Sequence, residues 1–218
     1  MTTSEDAKTQ VSEQTLLNVG FGIKRFLERH LHDGSLGAFK ALLVHVMSDP
    51  LLREAPGSSH NHQAWPGGYL DHVHECMRLA VRLYPVLTDM HVSGLPFTLP
   101  SALSVLFLHD IEKPWRHAAR VLMDRANAQG TAVNLSLEHQ FARGDKTMRA
   151  MCRLNLMERF GIVLTPEEMN ALKYVEGEND DYTPTKRVMN ELAAFCHLCD
   201  VTSARIFHDQ PQKDRIER

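Results

Sequence analysis

The stretch Ser101-Ala-Leu-Ser-Val-Leu-Phe-Leu-His109-Asp110-Ile-Glu-Lys113 decides the reading of this chain. Six of the eight residues before the His-Asp pair are apolar or alanine, so the segment is expected to carry that pair on a helix running into a core. A buried imidazole and carboxylate need partners, because an unpaired buried charge is strongly destabilising. A metal ion satisfies both groups at once.

Two other segments repeat the pattern of polar residues set into apolar surroundings. His72 stands in Gly67-Gly68-Tyr-Leu-Asp71-His72-Val-His74-Glu75, and Asp200 in Phe195-Cys-His-Leu-Cys-Asp200-Val201. Thirteen histidines are an excess for 218 residues, and four of them fall within 60–74. The set His72, His109, Asp110 and Asp200 comes from three separate predicted helices. Its nitrogen and oxygen donors suit Mn, Fe, Zn, Ni or Mg. Four such ligands leave an octahedral ion two open positions, one for a water and one for a phosphoryl oxygen.

The rest of the chain is consistent with one all-α domain. From Thr15 to about His32, Leu16, Val19, Ile23, Phe26 and Leu27 recur at helical spacing. Further helices are expected over about 35–48, from Tyr69 to Tyr84, and from Asp145, as N-cap, to Gly161. The segment Thr165-Pro-Glu-Glu168 has the pattern of a capping box, opening a helix that ends near Gly177. A last long helix is expected from Thr183 or Thr185 through Asp200. Between them, 53–68 is dense in helix breakers and 85–100 reads as a loop. No alternating β-branched run signals a strand. Residues 1–14 read as a disordered tail, 15–207 as the domain and 208–218 as a polar tail.

Composition narrows the function classes. A net charge of −3 suggests neither a nucleic-acid coat protein nor a membrane-surface protein. No stretch approaches the roughly 18 apolar residues that span a bilayer, and the N-terminus lacks an apolar leader, so no membrane partner and a cytoplasmic location are expected. The four cysteines do not read as a secreted disulfide framework. Cys196 and Cys199 share a predicted helix with no second cysteine pair nearby, and are expected in the core. His208-Asp209 repeats the pair without an apolar helix to carry it, and reads as tail.

In order along the chain, Pro66-Gly-Gly-Tyr-Leu-Asp71-His72, Leu106-Phe-Leu-His109-Asp110-Ile-Glu-Lys113, Glu138-His139-Gln-Phe-Ala-Arg-Gly144 and Glu191-Leu-Ala-Ala-Phe-Cys-His-Leu-Cys-Asp200 resemble the signature segments of the HD-domain superfamily of metal-dependent phosphohydrolases. The likeness is closest to HD-type 3′–5′ exoribonucleases and relaxase-associated HD proteins, and it covers about 60–205. It implies an HD-domain helical bundle with a metal site between helices, holding one or two divalent ions. The implied activity is hydrolysis of a nucleotide or short nucleic-acid phosphoester by a metal-activated water. Asp110 and Lys113 would take part in catalysis.

Two positions depart from the family pattern. Glu112 replaces a glycine, and Val175-Glu176-Gly177 stands where a histidine pair often precedes a glycine. Glu176 is expected to take part in catalysis or replace one of those histidines at a second metal, with His139 as another ligand there; a solvated acidic helix end is the other reading. Lys113, Arg116 and His117 are expected to bind substrate phosphate, against the alternative of a solvated helix end. His60 and His62 are placed near the mouth of the site, His62 as a substrate contact. His74 is expected to face elsewhere, and Glu75 to orient His72 or a water. A mixed-valent diiron oxygenase cleaving a C–C or C–P bond is the competing implication of the resemblance, and a nucleotide-sensing module without turnover is a third.

Overall fold

The computed structural model describes residues 13–32, 34–59, 61–178 and 181–209. The expected tails, apart from their inner ends, and His60 lie outside the described residues. Ten helices follow in order: α1 Glu13–His30, α2 Leu36–Ser48, α3 Pro50–Arg53, α4 Gly68–Met90, α5 Leu99–Leu108, α6 Glu112–Gln129, α7 Leu137–Ala142, α8 Lys146–Phe160, α9 Pro166–Tyr174 and α10 Glu191–Ile206. The described residues contain no strand, only an isolated bridge between Thr183 and Lys186.

Helix α5 is the centre of the bundle. Ala102, Leu103, Val105, Leu106, Phe107 and Leu108 are all buried, so it is apolar on every side, as a helix enclosed by others must be. It packs against α4, α9 and α10, and α4 also packs on α1 and α10. The site helices are thus mutual neighbours around one core.

Helix ends follow the expected caps in several places. The Asp145 carboxylate accepts from Met148 N at 2.9 Å, and Gly161 closes α8 in the left-handed conformation. Thr165 and Glu168 form the reciprocal capping box of α9. Elsewhere the boundaries differ from the sequence reading. Helix α4 continues through Pro85 to Met90. The Thr88 hydroxyl donates to the Tyr84 carbonyl and the Tyr84 hydroxyl to the Phe97 carbonyl, both at 2.7 Å, which secures the turns around the proline. Helix α10 begins at Glu191 rather than at Thr183 or Thr185. Asn190 sets that start: its Oδ1 accepts from Ala193 N at 2.7 Å while its Nδ2 donates to the Glu167 carbonyl at 2.9 Å.

The His-Asp pair itself is not inside a helix. Helix α5 stops at Leu108, and His109 to Ile111 form a tight turn into α6. His109 Nδ1 donates to the Leu106 carbonyl at 2.7 Å, and Ile111 N and Lys113 N donate to the carbonyls three residues back, those of Leu108 and Asp110. The turn, rather than helical spacing, aims both side chains to one side.

Two glycines start α4. Gly67 has φ +79°, in the left-handed region, and a Cβ at Gly68 would lie 1.8 Å from the Gln63 carbonyl oxygen. That contact docks the 54–67 loop against α4. Gly68→Ala is therefore expected to lower unfolding free energy by about 1–3 kcal/mol through overpacking, read as a reduced urea midpoint. An unchanged midpoint would mean that the loop yields freely.

Candidate metal centre

Four buried or nearly buried side chains from three elements converge. His72, Cys76, His109 and Asp200 each bring one donor atom to within 4.8 Å of all the others, a grouping that can hold a metal ion. His72 Nε2 is 3.0 Å from Asp200 Oδ1 and 3.2 Å from His109 Nε2. Asp110 Oδ2 stands 3.6 Å from His72 Nε2 and 3.4 Å from His109 Nε2. All four expected ligands, His72, His109, Asp110 and Asp200, therefore meet in one place.

Neighbouring groups fix the two imidazoles. His109 Nδ1 faces a carbonyl oxygen and must carry the hydrogen there, which turns Nε2 toward the cluster. His72 Nδ1 lies 3.1 Å from the Ser203 hydroxyl, one turn beyond Asp200 on α10. Such partners set ring orientation and ligand basicity. Ser203→Ala is expected to weaken Mn²⁺ binding by about 10–100-fold, measured by calorimetry, with circular dichroism unchanged. Undiminished affinity would remove Ser203 from that role.

Without a metal the cluster balances its own charge, and a divalent ion would take the place of the His109 proton. Burial pushes His109 down, but the Asp110 and Asp200 carboxylates outweigh it and hold its pKa up at about 10. His72 is lowered by burial, with the charges of His109 and Lys113 adding to the effect and Asp200 opposing it. Against the cost of burial, Lys113, His109 and His72 hold Asp110 well below the usual carboxylate range, and hydrogen bonds from the two histidines do the same for Asp200. Two ionised carboxylates thus share a buried space with two imidazoles and the ammonium of Lys113, which ion-pairs with Asp110.

The donor set fits a divalent ion on a structural observation. Asp110 Oδ1 is buried without a hydrogen-bond partner among the described residues. A buried carboxylate oxygen left unsatisfied is costly, and a cation among these donors satisfies it. Hard oxygen and imidazole nitrogen donors suit Mn, Fe, Ni, Zn or Mg. Cys76 was not among the expected ligands. Burial and the nearby Asp200 charge raise its pKa well above the usual thiol value, so it stays a neutral thiol 3.8 Å from both ring nitrogens of His72.

A cationic cleft of about 310 Å³ opens beside this cluster. Lys113, Arg116, His117 and Arg120 line one wall as a single stripe along α6, at i, i+3, i+4 and i+7. Arg143, Pro56 and the Ser58–Ser59 segment complete the lining. Lys113 lies in the first turn of α6, where the helix dipole opposes a cation and favours an anion, so the alternative of a helix end that welcomes positive charge does not hold. Burial, then the charge of Arg120, lowers the pKa of His117. His62 lies beside His72, with ring centroids 5.2 Å apart, and burial and Lys113 depress its pKa to about 4.

Two expected second-metal residues stand outside the buried group. The His139 ring meets the Ser136 hydroxyl at 2.8 Å on short helix α7. Glu176 is exposed in the turn after α9. Next to it, His197 Nδ1 donates to the carbonyl of buried Val175 at 2.7 Å. Glu112, in the glycine position, is buried and paired with Arg153 of α8 at 3.2 Å. His74 packs on Phe26, away from the cluster, and all four cysteines are buried and free.

Helical arithmetic would have found Cys76, one turn from His72; Ser203, three residues beyond Asp200; and Arg120, two turns from Lys113. Arg143 lies in a loop, where spacing carries no such signal. No family model, curated protein or solved structure matches this chain. Among the described residues, no helix is long and apolar enough to cross a membrane.

Proposed function

We propose that this chain is a metal-dependent phosphohydrolase acting on a nucleotide or a short nucleic-acid phosphoester, in the manner of the HD-domain proteins its motifs resemble. One observation carries the reading: the buried His/Asp cluster and the cationic cleft share Lys113, which is paired to Asp110 on one side and lines the cleft on the other. His72, His109, Asp110 and Asp200 would hold the ion. A divalent ion in such a site polarises a phosphoryl oxygen and acidifies a water toward neutrality.

The chain supplies the rest. Arg116, Arg120 and Arg143 neutralise phosphate charge in the cleft. Lys113, whose pKa is raised by Asp110 against the cost of burial, remains protonated and holds the phosphoryl oxygen nearest the cluster. Neutral His62 contributes a hydrogen bond without charge, and the leaving oxygen takes its proton from solvent. A cytoplasmic location belongs to the same reading. The diiron oxygenase reading needs a second group of ligands, and its candidates His139 and Glu176 lie outside the buried group.

The test is hydrolysis of bis(p-nitrophenyl) phosphate and a nucleotide panel by protein stripped with chelator and reloaded with Mn²⁺, Ni²⁺, Mg²⁺, Zn²⁺ or Fe²⁺. Ester cleavage should require the metal. The R116Q/R143Q variant should raise the nucleotide KM by about 10–100-fold, the weight of lost charge-assisted hydrogen bonds. Oxygen consumption with iron, without ester cleavage by any metal form, would overturn the proposal.

A further inference from the structure

A second cationic groove lies on the opposite side of α4 from the metal centre. His72 and His74 are two residues apart, which turns them about 200° from each other on a helix. His72 joins the buried cluster and His74 lines this other groove, which lies between α1 and α4 and has a volume of about 570 Å³. Arg25 and Arg29 line it from α1, and Arg78 and Arg82 from α4. Each pair is spaced i, i+4, so each helix carries like charges one turn apart, an arrangement that weakens a helix. The two pairs share one groove in a chain whose net charge is −3. No carboxylate is among the described residues that line it. Glu28, the acidic residue of α1 nearest in sequence, is engaged by Lys24 and Lys40 instead.

Between the charged rims is an apolar, aromatic floor. Phe26 is half-buried there and its ring meets the His74 ring at 5.3 Å, with Val81 and Pro85 alongside. The groove follows two helices, so its charges come in steps of four residues, about 6 Å along the axis. A track of cations over an aromatic floor is the general form of a surface for single-stranded nucleic acid: guanidinium groups take successive phosphates and the floor takes a base.

We propose that the α1–α4 groove binds the backbone of a single-stranded nucleic acid, as a site separate from the metal centre. The two helices are remote in sequence, so no linear basic motif announces it. The assignment does not rest on the hydrolase reading.

The test is binding of a fluorescent twelve-residue oligothymidylate in chelator, over a salt series. If each of the three exposed arginines, Arg25, Arg29 and Arg82, neutralises one phosphate, the slope of log affinity against log salt is about −2.1, at about 0.7 per phosphate. Affinity then falls about 18-fold between 50 and 200 mM salt. R25Q/R29Q should cut the slope to about a third, reducing that fall to about 2.6-fold, and adding Arg82→Gln should remove it. These three side chains are exposed, and unchanged circular dichroism verifies the fold. Bis(p-nitrophenyl) phosphate hydrolysis should be the same in R25Q/R29Q as in the parent, so failure here is separable from failure of the hydrolase reading. Absence of binding, an unchanged slope in R25Q/R29Q, or displacement by ATP as effective as by the oligonucleotide at equal phosphate concentration would overturn the proposal.

Discussion

Asp110→Asn is expected to reduce divalent-metal affinity by more than about 100-fold, beyond the loss typical of a group that only orients a ligand, and to bring phosphoester turnover below detection. Asparagine keeps the shape and removes the charge. In the parent protein that charge pairs with Lys113 and holds the His109 proton, and Oδ2 faces the two imidazoles. Without it, the buried Lys113 ammonium loses its ion-pair partner and faces an incoming ion with Asp200 as the one remaining carboxylate of the cluster. The fold should persist, because Asp110 sits in the turn between α5 and α6 and carries no helix of its own. Metal content by mass spectrometry, turnover, and far-ultraviolet circular dichroism separate the cases. Loss of helicity together with activity would make Asp110 structural, and retained metal with retained turnover would remove it from the site.

Metal uptake is expected to be steeply pH-dependent. His109 keeps its proton up to about pH 10, and a metal must displace it. Mn²⁺ affinity should therefore rise about tenfold per pH unit between about pH 6 and 9, with about one proton released per ion, measurable by calorimetry in buffers of different ionisation enthalpy. The metal-free protein should show the reverse trend in stability. His109 is raised from its ordinary 6.5, so its contribution is complete below 6.5 and is lost as pH climbs through about 10. Asp110 and Asp200 are depressed below 3.8, so theirs is present above 3.8 and lost as pH falls further. His72 is lowered from 6.5, so it opposes folding as pH falls below 6.5, and the cluster thus stabilises the metal-free fold most near 6.5. Its melting temperature should decline from there toward pH 10, and saturating Mn²⁺ should remove that decline. Metal affinity independent of pH would contradict the protonated His109.

The convergence of His72, His109, Asp110 and Asp200 was legible because each is a polar residue set into an apolar run, and burial of such a residue demands a partner. The caps of α8 and α9 were legible because Asp145, Thr165 and Glu168 act locally. Boundaries set by distant partners were not. The start of α10 depends on Asn190 reaching back to Glu167 and Asn170, and the continuation of α4 past Pro85 on a bond from Tyr84 to Phe97. The turn at His109–Asp110 was misread as helix because its apolar approach has no breaker, and the stop is accompanied by the His109 ring bonding the Leu106 carbonyl. His139 was placed by motif position, and Glu176 by motif position and by its place at a helix end, and neither has an apolar setting of the kind that marks the four convergent residues. The cleft wall was half legible: Lys113, Arg116 and His117 lie near the pair in sequence, whereas Arg143 reaches it only through the fold.

The most direct test of the metal centre is anomalous X-ray scattering from crystals grown with Mn²⁺. A peak is expected between α4, α10 and the α5–α6 turn, about 2.0–2.4 Å from His72 Nε2, His109 Nε2 and oxygens of Asp110 and Asp200. A peak bound elsewhere, or crystals saturated with Mn²⁺ that show none at these four side chains, would contradict the account.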